Sequence, residues 1–155
     1  MKKILVLACT VTFLFSFSQK TMNPAEYKSS PKVFNIKGLS QSVSIDCGDS
    51  KMILLSGQVP LDSEGNLVGN TIEEQTRQVF KNIENILKEY GGTGKDIIKL
   101  GIFTTDIKKT ADFRKVRDLY VNLQNPPVST LMEVSRLFRD DILIEVEATA
   151  VIKNK

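Results

Sequence analysis

The sequence predicts a single α+β domain in which one mixed sheet carries two helices on one face. Three observations predict it. Short alternating or apolar runs bounded by turn residues read as strands, and two longer stretches repeat their apolar residues at helical spacing. These segments follow one another in the order β-β-β-α-β-α-β-β, which suits one sheet with its helices packed on one side. With 155 residues, 41% of them apolar and 25% charged, the chain has the size of one domain and the composition of a globular protein.

The chain opens on what reads as an export signal. Met1-Lys2-Lys3 supplies a positive start, residues 4–17 are apolar or small, and Ser16 and Ser18 occupy the −3 and −1 positions of a cut before Gln19. This run is shorter than the roughly 20 residues of a membrane span. It is also apolar on every side, unlike a helix that shows one face to water. A lipid anchor would use Cys9, but the apolar run continues past that residue. The resulting division is a signal peptide over 1–18, a polar leader with Pro24 and Pro31 over 19–32, and a folded domain over 33–155. The mature protein is then periplasmic or secreted, with no membrane attachment.

Within the domain, residues 33–36 read as a first short strand. Ser42-Val43-Ser44-Ile45-Asp46 alternates polar and apolar, Gly48-Asp49-Ser50 turns the chain, and Met52-Ile53-Leu54-Leu55 suits a central strand. Thr71 with Glu74 three residues later forms a capping box. Val79, Phe80, Ile83, Ile86, Leu87 and Tyr90 then fall on one helical face, and Gly91 stops the helix. Residues 97–105 give the next strand. A second helix from near Thr110 turns Phe113, Val116, Leu119, Tyr120 and Leu123 inward and ends before Pro126-Pro127.

Residues 129–137 and 142–151 are the last strands, joined by a tight turn at Arg139-Asp140-Asp141. In the final strand Ile142, Ile144, Val146 and Ala148 face one way, while Leu143, Glu145, Glu147 and Thr149 face the other. Two helices cover only one face of the sheet. Leu131, Leu143 and Ile102 or Phe103 make both faces partly apolar, so a homo-oligomer is predicted.

Composition narrows the chemistry. The chain has no histidine, which excludes Ser-His-Asp and Cys-His arrangements and any histidine-bearing metal site. Its net charge is +3; without Lys2 and Lys3, 19 basic residues face 18 acidic ones, a balance of +1. That is no nucleic-acid-binding stripe. Once the leader and Cys9 are removed, Cys47 is alone, so the mature chain has no internal disulfide. Gly91-Gly92-Thr93-Gly94 follows a helix instead of opening one, so it is a cap and loop, not a phosphate cradle. No residue cluster suggests a metal, and no cofactor is called for. Chemistry must rest on carboxylates, hydroxyls, basic side chains and backbone groups.

Five stretches, in order and spacing, resemble the RidA/YjgF family of enamine/imine deaminases. They are Ser56-Gly57-Gln58-Val59-Pro60, Ile102-Phe103-Thr104-Thr105-Asp106, Asp112-Phe113 with Val116 and Tyr120, Glu133-Val134-Ser135-Arg136-Leu137, and residues 144–151. The resemblance covers about 39–152. It implies a chorismate-mutase-like fold and a homotrimer with small-molecule clefts between neighbouring subunits. It also implies hydrolysis of amino-acid-derived imines, such as 2-iminobutanoate and 2-iminopropanoate, to keto acids and ammonia.

In that chemistry an arginine holds the substrate carboxylate bidentately. A glutamate positions or deprotonates the attacking water, and backbone groups with a serine complete the site. The resemblance maps the glutamate onto Glu145 and the cleft serine onto Ser56, beside Gly57. By residue type alone, Glu145 also reads as a solvated strand carboxylate, and Ser56 as a turn or hydrogen-bonding residue.

The arginine position is Ser129. A frequent cysteine is replaced by Leu131, and a frequent tyrosine by Leu39. Arg117, where relatives often have asparagine, is either an exposed helix residue or a relocated cation. Exchanging a two-pronged arginine for a hydroxyl costs about 2 kcal/mol, on the order of 30-fold in binding. The leading expectation is therefore a Rid-like trimer with little standard deaminase activity. The rivals are a working deaminase that uses Glu145 and water, and a non-enzymatic binding or holdase protein.

Overall fold

The computed structural model describes residues 25–154. The signal-peptide reading, Cys9 and the first part of the polar leader lie outside the described residues. Six strands form one sheet: β1 (Ala25–Lys28), β2 (Ser42–Asp46), β3 (Ser50–Gln58), β4 (Ile97–Thr104), β5 (Val128–Glu133) and β6 (Ile144–Lys153). Helix α1 (Ile72–Lys88) connects β3 to β4, and α2 (Thr110–Tyr120) connects β4 to β5. The spatial order is β1-β2-β3-β6-β4-β5. Every pairing is antiparallel except β4 with β5, which is parallel and uses α2 in its crossover. The mixed sheet with two helices agrees with the predicted fold class and element order.

Helix α1 begins as its sequence requires. The Thr71 hydroxyl accepts the Glu74 amide, and the Glu74 carboxylate accepts the Thr71 amide. At its other end Gly91, with φ +78°, lets the Gly92 and Gly91 amides close back on Leu87 and Lys88 carbonyls. Between the caps, Val79, Phe80, Ile83, Ile86 and Leu87 are fully buried. They pack on the alternate residues Ile144, Val146, Ala148 and Ala150 of β6 and on Ile53 and Leu55 of β3. Fully burying such a side chain is worth about 1.5–3 kcal/mol. This layer is the core.

Three sequence expectations need correction. Residues 33–36 are not a strand; the strand forms earlier, at Ala25–Lys28, inside the polar stretch taken as leader. The 29–41 segment is held by one side chain instead of a ladder. Gln41, 5% exposed, accepts the Ser30 amide at 2.8 Å and donates to the carbonyls of Ser30 and Val33. Leu119 and Leu123 are 61% and 59% exposed: Leu119 lies within α2 but off the face that buries Phe113 and Val116 and stacks Tyr120 on Phe80, and Leu123 lies beyond the helix end at Tyr120. Finally, β5 stops at Glu133, and β6 lies between β3 and β4 instead of beside β5. Residues 134–143 form a long connection, drawn together by the Arg139–Asp141 pair.

Gln75, fully buried on α1, secures that connection. Its amide donates to the carbonyls of Asp141 and Gly69, and its oxygen accepts the Leu143 amide at 2.8 Å. Leaving those backbone groups unpaired is costly. Gln75→Leu, which roughly keeps the volume, is therefore expected to lower unfolding free energy by about 2 kcal/mol in a urea titration.

Candidate functional site

Strand β6 sends its even-numbered residues 144–152 to the helices and its odd-numbered ones to the open face of the sheet. Glu145 and Glu147 therefore project away from the core. Each lies over a glycine of a neighbouring strand. The Glu145 carboxylate rests against Gly57 of β3, where any Cβ would collide with its Oε1, and Glu147 lies in the same way over Gly101 of β4. Gly57 reaches this position because the β3–β6 register shifts between Leu55 and Gln58. A bulge of this kind re-aims residues at the end of a strand.

The bulge also forms one wall of a small recess of about 50 Å³. Ser56 and Gly57 line it on one side, and Phe34, Ile36 and Leu39 on the other. The Ser56 hydroxyl donates to the Ser40 carbonyl at 2.6 Å, tying the two walls together. Beneath, Asn82 donates to the Val59 and Leu61 carbonyls and accepts from Gln78. None of the residues lining the recess is charged. Glu145, touching it through Gly57, is half-buried and has no hydrogen-bond or ion-pair partner among the described residues. Burial first, and then the neighbouring Glu147, hold its pKa above the ordinary 4.5.

Of the residues singled out in the sequence, one chain brings together Glu145, Ser56, Gly57 and Leu39, the last 62% exposed at the rim. It does not bring Ser129, Leu131 or Arg117 to them. Ser129 pairs with Leu100, and Leu131 with Ile102, so both belong to the helix side of the sheet, opposite Glu145. The Ser129 hydroxyl donates to the Pro127 carbonyl, and Leu131 packs on the core. The guanidinium of Arg117 donates twice to Asp118, its sequence neighbour.

Sequence reasoning missed Phe34, Ile36, Gln41 and Asn82. One signal was available: Gln75, Gln78 and Asn82 form a polar stripe at helical spacing beside the apolar face, and all three are buried.

Residues 34–152 match the family described as Endoribonuclease L-PSP. The chain belongs to the RidA/YjgF family. A RutC family protein of Pyrococcus abyssi is 36% identical over 114 residues, spanning 72% of this chain and 84% of the relative. One from Buchnera aphidicola is 37% identical over 130 residues, spanning 83% and 96%. The crystal structure of YyfA, a Rid-family protein of unknown function from Yersinia pestis, superposes with a TM-score of 0.73 at 32% identity. It spans 81% of this chain and 98% of its own. The RidA/YjgF sheet and helix order seen here is thus the family's own.

For a group whose folded-state pKa is raised, the charged form opposes folding above that pKa, and the opposition is gone below the unfolded value of 4.5. Glu145→Gln is accordingly expected to raise the melting temperature at neutral pH. The difference between the two proteins should shrink as the pH falls through this window, read by calorimetry across pH.

Proposed function

We propose that this RidA/YjgF protein is exported through residues 1–18 and works as a homotrimer with small-molecule clefts between subunits. We further propose that it performs little of the imine hydrolysis associated with the arginine-bearing pattern. The observation that carries this reading is the charge of the site. The recess has no cationic residue, its ionisable neighbour is Glu145, and the arginine position holds Ser129.

The assembly is supported by the open face of the sheet, where Ile45, Leu54, Val128 and Met132 are exposed on the same side as Glu145 and Glu147. A patch of this kind needs covering in water. A trimer would also let the Ser129 edge of one subunit approach the Glu145 face of another, which no single chain does. A nuclease role has no physical support in a chain without histidine and with a net charge of only +3.

A second reading is favoured by one observation, the raised pKa of Glu145. An unpartnered carboxylate of higher basicity suits proton abstraction from water. In that reaction the hydroxide adds to the imine carbon while the proton taken by the glutamate passes to the nitrogen; the new hydroxyl then gives its proton to the nitrogen and becomes the keto oxygen as the carbon–nitrogen bond breaks and ammonia leaves. The substrate anion then needs a different anchor, and Arg117 is poorly placed to serve while Asp118 holds it.

Two measurements decide between the readings. Ammonia release from 2-aminoacrylate generated in situ should stay near the buffer rate. Clear acceleration that Glu145→Gln abolishes would establish the deaminase instead. Ser129→Arg should tighten binding of a 2-oxo acid by on the order of 30-fold, measured by calorimetric titration.

A further inference from the structure

The charge at this cleft points to what it holds. The recess walls are uncharged, and Phe34, Ile36 and Leu39 present apolar surface at its mouth. The carboxylate of Glu145 lies against Gly57, one of the residues lining the recess, and Glu147 stands two residues further along the same face. Among the described residues of its own chain, no cation contributes to the surroundings of Glu145. A ligand carboxylate here would meet two like charges and no partner, at a position where like charges repel strongly. An organic cation would find the reverse: an unpaired acceptor beside Gly57 and, across the recess from Gly57, apolar surface for its body.

We propose, resting on the small-molecule cleft above, that the site selects a small organic cation, a primary ammonium or carboxylate-free iminium with a short apolar body. Glu145 pairs with the cationic nitrogen, and Phe34, Ile36 and Leu39 receive the hydrocarbon. This inverts the charge of an imino-acid site: the anion is supplied by the protein and the ligand carries none.

The test uses three probes with one skeleton: isobutylamine, 3-methylbutanoate and 3-methylbutanamide. Each is titrated into the full mature chain and followed through the backbone amides of Ser56 and Gly57 by NMR. The amine is expected to bind at least about 10-fold more tightly than either other probe, as a charge-assisted bond should. Glu145→Gln should erase the advantage of the amine over the amide, while Glu147→Gln keeps most of it.

Equal or tighter binding of the carboxylate overturns the inference. So does an amine preference that survives Glu145→Gln. Light scattering of the same sample tests the assembly separately. A monomer there sinks the trimer reading while the titration still decides the ligand's charge, and a trimer that binds none of the three overturns the ligand assignment alone.

Discussion

A strand bonded on both edges has its backbone satisfied within the sheet, so β6, held between β3 and β4, can only divide its side chains between two faces. That division organises the molecule. One set of residues packs under α1 as the core, and the other carries the two glutamates of the candidate site. A shift of one residue would put Glu145 and Glu147 into the hydrocarbon layer and Ile144 and Val146 into water. Several kcal/mol per buried charge oppose such a shift. The burial that stabilises the fold is therefore also what aims the site.

Much of this was legible in the sequence. The Thr71–Glu74 box, the apolar stripe of α1 and the alternation of β6 are local patterns, and each element forms where its pattern places it. What escaped depends on distant partners. The polar run Ala25–Lys28 becomes a strand because β2 offers it an edge, whereas in residues 33–36 the Val33 carbonyl bonds to the Gln41 side chain and the Ile36 carbonyl to the Leu39 amide instead of to a strand. The place of β6 between β3 and β4 is a long-range choice that periodicity cannot express. Leu119 and Leu123 follow the helical pattern closely enough to suggest burial, but Leu119 falls beside the buried face of α2 and Leu123 beyond its end.

The site divides in the same way. Ser56, Gly57 and Leu39 line one recess and Glu145 lies against Gly57, but what joins Glu145 to Gly57 is a bulge invisible in the residue pattern. Glycine at 57 leaves room for the Glu145 carboxylate to lie across it; a side chain there would displace that carboxylate. Phe34 and Ile36 were hidden because the segment carrying them read as a strand. Ser129 and Glu145 share a motif-level neighbourhood yet occupy opposite faces of one sheet.

Strand β5 has a neighbour on one side only, and nearly all of its residues are exposed. Ser129 contributes no core packing there, and its hydroxyl makes only a local bond. A position so weakly tied to its own subunit is mechanically cheap to rewrite. Arginine, serine or another side chain at this edge leaves the core packing unchanged, whereas the helix-facing residues of β6 are fixed by the core they build. Divergence in ligand chemistry can thus proceed through the rim of the sheet while the centre that builds the protein stays as it is.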